Sequence, residues 1–183
     1  PLILKLSYFG LLPDNFLLVS MGTGTSYTFI DHDEIKSKMG SGIGGGFIYG
    51  LMQLVGIKNF HELSVESING AKNLDLLIKD VFSNSEGFER ELSIAYFGKA
   101  TKEYAKKDVC NTIITTAARI TIENILRIKD KEEFNTVILI GSPLANIPPL
   151  KNYLIGTLKN FLYDVRCPQQ GEYALAFGAY GRK

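Results

Sequence analysis

M-G-S-G-I-G-G-G-F-I-Y-G-L-M-Q-L-V-G, residues 39–56, is the stretch from which the chain is best read. Five of its first eight residues are glycine, and an apolar run with helical spacing follows at once. A backbone stripped of side chains just before a helix approaches something closely. Helix N-termini carry N–H groups without intrahelical partners and the positive end of the dipole, so the expected guest is a phosphate. The run matches G-x-G-x-x-G through Gly40, Gly42 and Gly45. The dinucleotide version of that pattern requires a strand just before it. Asp31 to Lys38 reads instead as a charged connection, which argues against that version. A Walker A loop also fails, because no Gly-Lys-Ser/Thr follows. A glycine-lined helix start remains, with the helix over about 46–55. A flexible linker is the plainer reading, and the immediate apolar helix weighs against it.

Two more loops have similar chemistry. Phe16 to Met21 is a short apolar run suited to a strand buried on both faces, and Tyr27 to Ile30 reads as its hairpin partner. Between them lies Gly22-Thr23-Gly24-Thr25-Ser26. Its glycines admit a ligand near the backbone, and its three hydroxyls suit phosphate oxygens or a hydrated magnesium ion. The same residues also suit a tight hairpin turn. The third loop, Gly141-Ser142-Pro143, ends the buried strand 136–140 and leads into a helix. It reads either as one wall of an adenosine pocket or as an ordinary strand-to-helix turn with a capping residue.

The bounds are those of an ordinary globular α/β chain. Its 183 residues make one domain or one lobe, with 45% hydrophobic and 21% charged residues. A formal net charge of +1 argues against a broad nucleic-acid face. Cys110 and Cys167 lack disulfide or metal spacing and read as reduced core filler in a cytoplasmic protein. No apolar run approaches the roughly 20 residues of a membrane span. Residues 1–6 lack an initiator Met and a basic leader, so the chain is expected to begin mid-protein.

Along the chain, residues 1–11 read as a helix end. Asn59 to Val65 and Leu74 to Phe82 read as amphipathic helices, and 92–98 as a short extended piece. The longest helix is expected over 106–128, then a helix over about 146–159, a strand over 160–166 and a small-residue helix over 174–180. Asp31, Asp33, His32 and His61 read as surface or packing groups without a nucleophile or metal partner. Lys36 and Lys38, just before the glycines, are placed either to reach an anionic group or to lie on a solvated face.

Taken in order, these loops resemble the type II pantothenate kinases of the acetate and sugar kinase, Hsp70 and actin superfamily. M-G-T-G-T-S at 21–26 and G-I-G-G-G-x-x-x-G at 42–50 carry most of the resemblance. Gly70, Asn73, Asp75, Y-F-G at 96–98, I-G-S at 140–142 and Ala176-Phe177-Gly178-Ala179 add to it. The resemblance implies an α/β fold, a mixed sheet with helices on both faces, of the actin-like (ribonuclease H-like) ATPase type. It implies ATP contacts at Thr23, Gly24, Gly45, Gly46, Phe47, Ile48, Tyr49, Phe60 and Ser142, with substrate held near Lys38. The implied reaction is transfer of a phosphoryl group from ATP, with Mg2+, to the primary hydroxyl of pantothenate, the first step towards coenzyme A. Feedback by CoA or acyl-CoA and a homodimer built on the long helix are further implications.

The family also has an Asp-Gly-Gly-Thr phosphate loop and a catalytic Glu ahead of the first hairpin, and an Arg before the glycine stretch. None of these is present here, and Lys36 and Lys38 offer charge without the bidentate fork of an arginine. The expectation is therefore that residues 1–183 form a single C-terminal nucleotide-binding lobe, that the catalytic Glu belongs to an N-terminal part, and that these residues alone give no turnover. Two alternatives remain. One is another kinase or ATPase of the superfamily, such as an N-acetylglucosamine kinase or a dehydratase activator. The other is a non-catalytic module that binds a nucleotide or acyl-CoA.

Overall fold

Phe16, Leu17, Leu18 and Val19 are all buried, which places strand β1 (Asn15–Met21) at the centre of a sheet with apolar contacts on both faces. The structure is a computed structural model and describes residues 13–70, 73–84 and 86–173. β2 (Thr25–Asp31) returns antiparallel to β1, with Met21 opposite Thr25 and Asn15 opposite Asp31. His32 and Asp33, at φ 46° and 65°, form a two-residue turn whose twist suits a hairpin. β3 (Glu34–Ser41) then pairs antiparallel with β2 as an edge strand. β6 (Thr136–Ile140) lies parallel to β1, and β7 (Asp164–Arg166) parallel to β6. The order is β3-β2-β1-β6-β7.

One face of this sheet meets the helices. α4 (Lys106–Lys129) packs there with α1 (Gly45–Leu54), α2 (Phe60–Ile68) and α6 (Pro148–Asn160). Leu17, Val19, Tyr27, Val137 and Leu139 share this core with Ile113, Ala117 and Leu154. The other face has a smaller buried cluster of Phe16, Leu18, Ile30, Ile138 and Ile140. The helices expected at 1–11 and 174–180 lie outside the described residues, as does Ala176 to Ala179.

Three sequence expectations change, and a fourth gains a neighbouring helix. The charged connection at 31–38 is largely strand β3, because edge strands tolerate charge and use it to discourage sheet-to-sheet pairing. The glycine stretch therefore does follow a strand. The dinucleotide reading fails for another reason: β3 is an antiparallel edge strand, not the first strand of a parallel crossover. The helix expected over 74–82 is mostly not helical. β4 (Leu76–Leu77) pairs with β5 (Ser93–Ala95), and only the single turn α3 (Ile78–Val81) winds up. Leu76 and Leu77 are taken by pairing with Ala95 and Ser93, and the Asp75 carboxylate just before them is held by Thr116 and Arg119 of α4. The helix expected over 146–159 forms as α6 (Pro148–Asn160), and a separate short helix, α5 (Ser142–Asn146), precedes it across a break at Ile147. Pro148 disfavours a helical residue before it, and Ile147 sits at φ −125°, ψ 79°. Finally, the strand expected over 160–166 shortens to 164–166, with Leu162 at φ 63° after the end of α6.

α4 was the expected dimer face. It buries Ile113, Ala117, Ala118, Ile122 and Ile125 in the core and leaves Val109, Leu126 and Ile128 partly exposed. Among the described residues, no helix is long and apolar enough to cross a membrane.

Candidate functional site

β1, β3 and β6 run in the same direction, so the turns at their C-terminal ends collect on one edge of the sheet. That edge is where open α/β sheets bind ligands. The three glycine loops meet there. The Gly45 N–H donates to Gly22 O (2.7 Å) and the Gly46 N–H to Thr23 O (2.8 Å). The fit leaves no room for side chains. A Cβ on Gly44 would lie 2.6 Å from the Gly24 carbonyl carbon, one on Gly45 2.8 Å from Pro143 Cγ, and one on Gly46 2.8 Å from Thr23 Cγ2. Gly141, at φ 121°, packs so closely on β1 that a Cβ would fall 1.9 Å from Met21 O. Only glycine fits there, on conformation and on space.

This geometry corrects the cradle in two respects. The N–H groups of Gly45 and Gly46 are taken by the β1–β2 turn and do not wait for a phosphate. The glycines of α1 bring backbone to backbone, and no side chain caps the helix. Of the three hydroxyls in the first loop, Thr25 is also committed: it is 2% exposed and donates to Ile43 O at 2.7 Å. Thr23, Ser26 and Ser142 remain exposed. Gly40 and Gly42 face open space, with nothing within 4 Å of a would-be Cβ.

The other sequence-chosen residues are distributed as follows. Gly24 lies against Ser41 O. Phe47 is half-buried against the core, and Ile48 is fully buried within it. Tyr49 is 53% exposed and meets Phe60, the first residue of α2, edge-on with centroids 6.4 Å apart. Lys38 is not on this edge cluster. It lines a cleft of about 430 Å3 with Tyr27, Met39, Arg127, Ile128 and Lys131. Lys36 pairs with Glu34 at 2.7 Å. No group of three His, Cys, Asp or Glu gathers among the described residues to hold a metal.

A cavity of about 220 Å3 lies beside Gly141, and sequence reasoning offered only the Gly141 wall of it. Leu144 and Ala145 of α5, Lys151 of α6, Cys167, Gln170 and Glu172 contribute to its walls. Burial pushes the Cys167 thiol up, Lys151 pulls it down and Glu172 pushes it up. For its other wall the sequence signal was the Gln169-Gln170-Gly171 turn after a strand, whose place beside β6 becomes evident only from the sheet order.

The partners of Asp75, a residue named from the sequence, emerge only in the structure. Asp75 is buried and accepts from Thr116 Oγ1 (3.0 and 3.1 Å), Ser93 Oγ (3.3 Å), the Phe97 N–H (2.9 Å) and Arg119 Nη1 (3.0 Å). Arg119 Nε also donates to Tyr153 OH at 3.3 Å. One carboxylate thus joins the β4–β5 segment to α4, and through Arg119 to α6.

The profile of a protein family described as Fumble matches residues 9–142 of this chain. The chain belongs to that family, the type II pantothenate kinases. A type II pantothenate kinase of Bacillus cereus (strain ATCC 10987 / NRS 248) is 27% identical over 175 residues, covering 91% of this chain and 62% of the relative. The chain therefore spans less than two thirds of that Fumble-family relative. Among solved structures, (R)-2-hydroxyglutaryl-CoA dehydratase component A of Acidaminococcus fermentans superposes with a TM-score of 0.64 at 12% identity, over 94% of this chain and 62% of that one. MreB 5 of Spiroplasma citri, solved bound to AMPPNP, gives 0.57 at 12% identity, over 98% and 56%. These neighbours show the fold of the Fumble chain, that of the actin-like ATPases.

Proposed function

We propose that this chain is the nucleotide-binding lobe of a pantothenate kinase and that MgATP binds where the three glycine loops meet. The observation that carries this reading is the convergence of Gly22–Gly24, Gly44–Gly46 and Gly141–Pro143 on one sheet edge, next to a cavity of about 220 Å3. The exposed hydroxyls of Thr23 and Ser142 would meet phosphate and nucleoside, and the cavity beside Gly141 would take the adenosine. The loops themselves carry no carboxylate, so Mg2+ would arrive with the nucleotide and meet Thr23 or Ser26 through its water shell. The reaction is transfer of the γ-phosphoryl group to the primary hydroxyl of pantothenate. In such chemistry the protein chiefly positions groups and offsets developing charge. Among the described residues no Glu or Asp lies in the three glycine loops, and Glu172 lines the cavity given to the adenosine, so we place the group that takes the acceptor proton outside residues 1–183.

The test pairs calorimetry with a coupled assay. Mg-AMPPNP should bind the chain, and pantothenate phosphorylation should need the N-terminal part of the kinase supplied with it. No binding of AMPPNP would overturn the lobe reading. Turnover by these residues alone would overturn the assignment of the base.

A further inference from the structure

We infer that Thr25 is a positioning residue for the nucleotide cradle, acting by setting where helix α1 begins. This rests on the ATP reading of the site, although its first measurement does not.

Helix α1 starts at Gly44, an N-cap with no side chain to accept from the first turn. Its cap is borrowed from another loop, because Gly22 O and Thr23 O accept from the N–H groups of Gly45 and Gly46. A borrowed cap works only if the two loops stay in register. Ile43, the residue just before the N-cap, is held on both sides. The Ile43 N–H donates to Ser41 Oγ at 3.1 Å, and Ile43 O accepts from Thr25 Oγ1 at 2.7 Å. Thr25 is the first residue of β2, directly after the turn that supplies the cap, and its backbone pairs with Ser41. One buried hydroxyl therefore ties the turn to the glycine run. Removing it would also leave Ile43 O without this donor in a partly buried setting. The separation between Thr23 and the backbone of Gly45–Phe47 would then loosen.

Two substitutions divide hydroxyl from shape. Thr25→Val keeps the branched shape and loses the hydroxyl, whereas Thr25→Ser keeps the hydroxyl and loses the methyl. Amide hydrogen exchange is measured first, at Gly45 and Gly46 against Val137 in the core. Thr25→Val should speed exchange at the two glycines about five- to tenfold and leave Val137 unchanged, as expected for the loss of one hydrogen bond. Thr25→Ser should behave as wild type. Mg-AMPPNP affinity should follow, with Thr25→Val weaker by about fivefold and Thr25→Ser restored. Equal glycine protection in wild type and Thr25→Val would overturn the inference, as would a larger effect from Thr25→Ser than from Thr25→Val. Wild-type protein that binds no AMPPNP would instead sink the ATP reading, and the exchange result would still decide whether Thr25 sets the register of α1.

Discussion

Arg119 Nη1 lies 3.0 Å from Asp75 Oδ2, and the Asp75 side chain has no exposed surface. The charge is not left to one partner: Thr116, Ser93 and the Phe97 N–H complete its shell. A buried pair of this kind gives modest net stability while intact and is costly when one member is removed.

Asp75→Asn should therefore lower unfolding stability by about 3 kcal/mol. Urea denaturation should show a lower midpoint with an unchanged slope. Adding Arg119→Met to that variant should recover part of the loss, since the unpaired cation is then gone. Strict additivity of the two losses would show that the residues act independently.

Gly141 and Gly40 should respond oppositely to alanine. Gly141→Ala requires a Cβ at 1.9 Å from Met21 O and a φ of 121°, and should cost more than about 3 kcal/mol or prevent folding. Gly40→Ala meets nothing within 4 Å and should leave the melting temperature within about 2 °C of wild type. Thermal melts of the two purified variants check both statements.

Thr23→Val and Ala145→Trp test the two ends of the ligand. Both positions are exposed, so the fold should be retained. Thr23→Val should weaken Mg-AMPPNP binding by about fivefold through the loss of one hydrogen bond. Ala145→Trp should block the cavity beside Gly141 and abolish binding of both AMPPNP and adenosine. Calorimetry reads each outcome, and unchanged affinity in Ala145→Trp would move the adenosine elsewhere.

Cys110 provides a dependence on pH. Burial is the largest cause of its shift, with smaller contributions from Glu66 and Glu62, and the thiol is pushed up to about 11 from an ordinary value of 9.0. The folded state therefore holds the proton more tightly than the unfolded one. Its contribution to stability is complete below about pH 9 and declines as pH rises towards and through about 11. Stability measured across that window should fall less steeply in Cys110→Ala. At pH 8, thiol reagents should label Cys110 only after denaturant is added.

The legibility of the chain was uneven, and the reasons are physical. Residues 136–140, 106–128 and 16–21 announced themselves because long or continuous apolar runs leave few other solutions. Strand β3 did not, since an edge strand needs no apolar alternation and Glu34, Lys36 and Lys38 resemble a loop. The short β4 was hidden because its partner β5 and the α4 groups that hold Asp75 beside it are named by contact and not by spacing.

The sequence by itself determined that three glycine-bearing turns follow three chain segments. It also determined the family, through the order and separation of those turns. Only the tertiary structure decided what the glycines touch. Pairing β1 with β2 and β6 brings the turns to one edge, where Gly45 and Gly46 spend their N–H groups on Gly22 and Thr23 and Thr25 turns its hydroxyl inward to Ile43. A sequence lists donors and acceptors, but their assignment follows from packing, because a hydrogen bond requires atoms within about 3 Å whatever their separation along the chain.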